Sequence, residues 1–141
     1  MGKSHVRQAT RADLRRIYEV RHGTAENPLS NPALVTDAEV SWYLEQAIFL
    51  VSEDEESVQG FACVNHQTEY VWALFVMDEA QGLGHGTALL EVAIAHLRRL
   101  GHRQAFLTTG RDSKSEGFYQ SRGWQPTGVN LEGDVVFRLL L

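Results

Sequence analysis

The amino-acid sequence predicts a single α/β (α+β) domain over residues 1–141. Its core is a central mixed, mostly antiparallel sheet of about seven strands, flanked by four helices in the order βααβββαβαββ. Three observations carry that prediction. Helix-start signatures recur at Thr10–Asp13, Thr36–Glu39 and Ser113–Glu116, each a hydroxyl followed three residues later by an acid. Short apolar runs separated by charged or polar turns fill the middle of the chain. Leu89, Ala93, Leu97 and Leu100 then repeat at helical spacing, with Gly101 as the stop.

An opening strand ahead of Thr10 heads the order. The first helix runs to about His22, with Leu14, Ile17 and Tyr18 on one face, and Gly23 ends it. The "NPLSNP" stretch breaks the chain before a second helix at about Asp37–Gln46. Ile48–Ser52, Val58–Val64 and Glu69–Val76 read as strands joined by the short turns "EDEES" and "NHQT", hence antiparallel hairpins. A long helix begins near Thr87. The strand Gln104–Thr108 follows it at crossover distance, so one parallel pairing is expected. A short helix at Lys114–Arg122 and strands near Gln125–Val129 and Asp134–Leu140 close the chain.

Composition excludes several classes. The net charge is −5, with 13 Lys and Arg scattered along the chain, so there is no nucleic-acid footprint. No apolar run approaches a membrane span and no signal peptide is visible. A single cysteine, Cys63, rules out an internal disulfide and suits a reducing, cytoplasmic setting. No close histidine pair has metal-ligand spacing, since His96 and His102 miss the i, i+4 offset, and no metal is expected.

Gly82, Gly84 and Gly86 stand at every second position between a strand and a helix, where glycine weakens the helix by roughly 0.5–1 kcal/mol per site. Free N–H groups and a partial positive charge make a helix start an anion site, and glycine lets a phosphate reach the backbone. A P-loop fails, because Gly86 is followed by Thr87 and Ala88 without lysine. The dinucleotide fingerprint fits Gly82 and Gly84 but places Thr87 where its third glycine belongs. A glycine-rich turn that merely packs tightly remains open on spacing alone.

A third pattern fits. "QGLGHG" matches the Q/R-x-x-G-x-G/A signature of the GCN5-related N-acetyltransferases (GNAT), with Gln81, Gly84 and Gly86 in the defining places. "ALFVMDEA" resembles that family's fourth strand, "FYQSRGW" its C-terminal signature and "VRQATRADL" its first strand and helix. The resemblance covers nearly the whole chain.

The resemblance implies acetyl transfer from acetyl-CoA, as cosubstrate, to an amine, with a homodimer left open. It implies that two neighbouring strands part around the pantetheine arm, which the backbone of Leu74 and Val76 would pair with, Phe75 between them also counting as cofactor-binding. The N–H groups of Gln81, Gly82, Leu83, Gly84, His85, Gly86 and Thr87 would hold the pyrophosphate. The Val76 N–H would serve the oxyanion, and Tyr119 would protonate the departing thiolate. Tyr119 also has a packing reading beside Phe118 and Trp124. His85 has an exposed-loop reading beside the phosphate one. Glu26, Trp42, Tyr43 and Trp72 are the acceptor-side candidates, although Trp42 and Tyr43 have a core reading and Glu26 a surface one. At the places where family branches carry a base, this chain has Tyr70 and Trp72, and neither is a base at neutral pH. Glu69 and His66 nearby read equally as solvated turn residues. Asp112 replaces the family's asparagine before the last helix. A non-catalytic acyl-CoA-binding or regulatory domain is the alternative.

Overall fold

The computed structural model describes residues 4–22 and 37–141. Strands β1 (His5–Gln8), β2 (Ile48–Glu53), β3 (Val58–Asn65), β4 (Tyr70–Val76), β5 (Gln104–Thr109), β6 (Gln125–Val129) and β7 (Val135–Leu140) form one sheet. Their order is β1-β2-β3-β4-β5-β7-β6. Helices α1 (Leu14–His22) and α2 (Asp37–Gln46) cover one face, and α3 (His85–Arg99) and α4 (Lys114–Gln120) the other. Among the described residues the only parallel pair is β4 with β5, which are joined through α3. The predicted class and element order therefore hold. Among the described residues, no helix is long and apolar enough to cross a membrane.

Local chemistry explains the helix starts, with two corrections. Thr10 precedes a single 3-10 turn, Arg11–Asp13, before α1 begins. The Asp13 carboxylate accepts from the Thr10 N–H at 2.8 Å and from two Arg7 nitrogens at 2.9 and 2.8 Å. Those Arg7 bonds hold the Asp13 carboxyl below its usual range against the opposing effect of burial. Ser113 does stand at the start of α4, but its hydroxyl turns back to the Gly110 carbonyl at 2.8 Å. Glu116 accepts from the Asp112 N–H instead. Thr36 lies outside the described residues. The long helix starts at His85 rather than near Thr87, with Gly84 as its N-cap at φ 95°.

Two apolar clusters hold the layers. Leu89, Leu90, Ala93 and Leu97 of α3 pack with Leu50, Ala62, Leu107, Tyr119, Trp124 and Phe137. Ile17 and Val20 of α1, with Val40 and Tyr43 of α2, pack on Phe49, Phe61, Ala73 and Phe75. Strand β4 serves both faces through a bulge: Cys63 pairs with Ala73 and Val64 with Val71, leaving Trp72 as the extra residue. Trp72 and Ala73 consequently share the α1/α2 face, whereas Val71 faces α3.

Gly60 sets how closely β3 and β4 approach. It pairs with Val76, and a Cβ there would sit 2.8 Å from the Phe75 carbonyl oxygen and 3.2 Å from both Leu89 and Val76 side chains. Gly60→Ala is therefore expected to destabilise the fold by about 1–3 kcal/mol through overpacking, read as a lowered midpoint in thermal or denaturant unfolding. An unchanged midpoint would show that the two strands part at no cost.

Candidate functional site

Strands β4 and β5 begin as neighbours and then separate. Their ladder consists of one bridge, Tyr70 with Phe106, supported by the Phe106 N–H donating to the Glu69 carbonyl at 2.8 Å. The closed end is tied by side chains as well. The Tyr70 hydroxyl lies 2.8 Å from Thr108 Oγ1, and His102 Nδ1 and Gln104 Nε2 donate to the Glu69 carboxylate at 3.0 and 3.3 Å. Glu69 is thus a strut between strands, not a solvated turn residue.

The register shows which backbone groups face the gap. Met77 donates to the Gln59 carbonyl at 2.8 Å, so residues 59 and 77 form a hydrogen-bonded pair. Alternation makes Gly60–Val76 and Ala62–Leu74 non-bonded pairs, and the backbone groups of Leu74 and Val76 therefore point toward β5. Phe75 points the other way: its carbonyl faces Gly60 and its ring is buried against Phe61. Phe75 is a correction to the expected set, because strand alternation turns its backbone groups to β3 and its side chain to the opposite face.

Beyond the bridge, the gap opens into a cleft of about 390 Å³. Leu74, Val76, Ala80, Gln81, Gly82, Gly84, His85, Gly86 and Thr87 line one side, and Lys114, Ser115, Phe118, Tyr119 and Arg122 the other. Gly82 and Gly84 need glycine for their left-handed backbone, φ 81° and 95°, and a Cβ on either would meet no protein atom. Gly86 has no such φ. A Cβ there would lie 3.5 Å from Phe118 Cζ and 3.7 Å from Val76 Cγ2, both cleft-lining groups. The first amide of α3 with an intrahelical acceptor is that of Ala88, on the Gly84 carbonyl at 3.0 Å. The N–H groups of His85, Gly86 and Thr87 precede it in the first turn, where no helix carbonyl is in reach.

Sequence reasoning missed the far wall. Arg122 stacks over Phe118, 3.7 Å from the ring centroid, and donates to Thr87 Oγ1 at 2.6 Å and to the Phe118 carbonyl at 3.0 Å. It closes α4 onto the start of α3 and adds, with Lys114, positive charge to the rim. The tyrosine motif drew attention to its neighbour and away from this residue. Tyr119 does line the cleft, with its ring buried against Phe118, Trp124 and Phe137. That burial pushes its phenol well above the ordinary value, with Arg122 opposing.

The remaining expectations divide. Gln81 folds back, its amide donating to the Val76 carbonyl at 3.4 Å and to Asp78 at 3.3 Å. Leu83 is 66% exposed and lies outside the cleft wall. The His85 side chain is buried, sharing a 2.7 Å hydrogen bond with fully buried Ser52. The exposed-loop reading of His85 fails, because the earlier helix start turns its ring into the α3–β2 interface. Tyr43 is a core residue stacked on Trp72 at 4.4 Å and 11°, while Trp42 meets its edge and is 37% exposed. Trp72 lines a second, smaller cavity on the α1/α2 face. Glu26 lies outside the described residues.

The sequence profile of the acetyltransferase (GNAT) family matches residues 8–124. The chain belongs to the GNAT acetyltransferase family. Among relatives of this GNAT chain is a mycothiol acetyltransferase from Geodermatophilus obscurus, 51% identical over 62 residues, which are 43% of this chain and 20% of that protein. The match thus spans a fifth of that relative's length. Among solved structures, a GCN5-related N-acetyltransferase from Rhodopseudomonas palustris has a TM-score of 0.83 at 16% identity, covering 100% of this chain and 98% of that one. The paia N-acetyltransferase from Thermoplasma acidophilum, solved in complex with coenzyme A, has a TM-score of 0.76 at 13% identity, with 99% of both chains covered. These structures share the fold.

Gly86 offers a test of the helix start. With an ordinary helical φ and only van der Waals neighbours, Gly86→Ala is expected to raise stability by about 0.5–1 kcal/mol, read in thermal unfolding. A loss of stability would mean that this turn has no room for a methyl group.

Proposed function

We propose that the chain transfers an acetyl group from acetyl-CoA to a primary amine by direct attack through a tetrahedral intermediate. The observation that carries this reading is the gap between β4 and β5, opening onto a cleft lined in part by the first turn of α3. A pantetheine arm is a chain of amides, and the inward-facing groups of Leu74 and Val76 match it as one more extended strand would. A pyrophosphate is anionic, and the N–H groups of His85 to Thr87 with Arg122 and Lys114 answer it. The coenzyme A complex of the Thermoplasma acidophilum relative supports the donor, and the Geodermatophilus obscurus relative supports the reaction class.

The chemistry follows. A neutral amine attacks the thioester carbon, an N–C bond forms, and the carbonyl oxygen becomes an oxyanion. In this reading the Val76 N–H, facing the gap, donates to that oxyanion. The C–S bond then breaks and the sulfur takes a proton. Tyr119 is the donor we assign. Its raised phenol stays protonated at neutral pH, yet it is a weaker acid than a thiol near ~8.5. The phenol therefore acts chiefly by hydrogen bonding to the developing thiolate, and full transfer is completed by solvent.

No carboxylate lines either cavity among the described residues, and His85, the one histidine in the cleft wall, is bound to Ser52. Water accordingly takes the proton from the amine. The same observation favours a second reading, a non-catalytic acyl-CoA-binding domain, which release of CoA thiol only in the presence of an amine separates from an enzyme.

Calorimetry with acetyl-CoA tests the cradle. The family signature admits alanine at Gly86, so the variant must be larger: Gly86→Leu has an ordinary helical φ, and its side chain would extend between Phe118 and Val76 in the cleft wall. Affinity is expected to fall about tenfold or more, the effect of losing roughly 1.4 kcal/mol, with thermal unfolding checking that the variant folds. Gly84→Val is a poorer probe, since valine is strained at φ 95°. Unchanged affinity in a folded Gly86→Leu protein would remove the cradle from the reading. Tyr119→Phe keeps the ring and is expected to lower kcat about 10²-fold, the lower end for acid catalysis, with acetyl-CoA affinity retained. Parental kcat would leave Tyr119 a packing residue.

A further inference from the structure

The second cavity, about 60 Å³, lies on the α1/α2 face of β4, opposite the large cleft. Its walls are apolar or aromatic except at Arg21 and the Tyr18 hydroxyl. The Arg21 guanidinium lies 5.0 Å from the centroid of the Phe75 ring, and the residue is partly buried. It donates no hydrogen bond to any described residue. Three other arginines of the N-terminal region differ, while Arg15 is exposed. Arg7 is saturated by Asp13 and Glu53, Arg11 is paired with Glu45, and Arg16 bonds to Glu19, Gln59 and the Val58 carbonyl. Burial pushes the Arg21 value down, and no carboxylate opposes it. Such a group keeps its charge, so desolvation without a partner is unfavourable.

One charged fork in an otherwise apolar hollow is how small-molecule sites fix orientation. The planar guanidinium matches a carboxylate through two parallel hydrogen bonds. A phosphate dianion would call for a second cation, and this cavity has none among its described walls. Position adds the link to chemistry. Phe75, under Arg21, is flanked on β4 by Leu74 and Val76, whose backbone groups face the gap. A molecule gripped at Arg21 is therefore one strand's width from that gap, on the face opposite the cofactor cleft.

We infer that the acceptor is an amine that also carries a carboxylate, held by Arg21 over Phe75 with its apolar part against Trp72 and Tyr18. This rests on the acetyl-transfer reading above. The test compares paired acceptors in a CoA thiol-release assay: the common amino acids, β-alanine and 4-aminobutyrate against their carboxamides, with putrescine and phenethylamine as amines lacking a carboxylate. At least one acid is expected to exceed its carboxamide tenfold or more in kcat/KM. Arg21→Gln is expected to bring that ratio near one, and Arg21→Lys, which keeps the charge without the fork, to leave an intermediate ratio. Thermal unfolding checks that both variants fold. A parental ratio near or below one, or a ratio that survives Arg21→Gln, would overturn the inference. So would acetylation of putrescine or phenethylamine without any acid, which leaves acetyl transfer standing. If nothing is acetylated, the inference falls, and calorimetry with acetyl-CoA decides the rest: bound donor preserves the cofactor assignment, and no binding removes it too.

Discussion

The site depends on one unmade ladder. Parallel strands that lie side by side ordinarily bond along their length, but β4 and β5 keep only the Tyr70–Phe106 bridge. Three side-chain ties hold that closed end: Tyr70 to Thr108, and His102 and Gln104 to Glu69. The bulge at Trp72 then breaks the alternation of β4, so that the consecutive residues Trp72 and Ala73 share one face. The gap is thus held open by well-satisfied structure on both sides of it. Polar backbone needs partners in a sealed core. Here the gap borders a cleft that is open to ligand and water.

Electrostatics runs against the overall charge. The chain carries −5, yet the cleft rim brings together α3's first-turn amides, Lys114 and Arg122, with no carboxylate among its described walls. The stacking of Arg122 on Phe118 and its bond to Thr87 place that cation with little freedom left to lose. Across β4, the other cavity has one guanidinium, Arg21, among its described walls. The two surfaces lie on opposite faces of one strand, and in the proposed reading their two ligands meet at the gap beside it.

Most of the fold was legible because its signals are local. Helical spacing in Leu89–Leu97 and short polar turns between apolar strands determine the layers, and the glycine spacing marks the strand-to-helix turn that borders the cleft. Tyr119, singled out by its motif, lines the same cleft. What stayed hidden depends on distant partners. Ser52 is 33 positions from His85, so nothing near "GHG" announces a buried imidazole. The bulge keeps β4 looking like ordinary alternation while moving Trp72 to its neighbour's face. Arg21 looks like any helix-end arginine until Phe75 is found under its guanidinium. Ser113 shows the reverse: its signature marked the right boundary, while the hydroxyl bonds backward and Glu116 does the capping.

In the proposed reading, backbone amides of two separate segments, the inner edge of β4 and the first turn of α3, bind one ligand together. Backbone amide correlation spectra of the isotopically labelled protein, titrated with coenzyme A, test this. The predicted result is that Leu74, Val76 and the amides from Gly82 to Thr87 shift furthest and share one saturation curve. Saturable binding that leaves those amides in place while others move would contradict it.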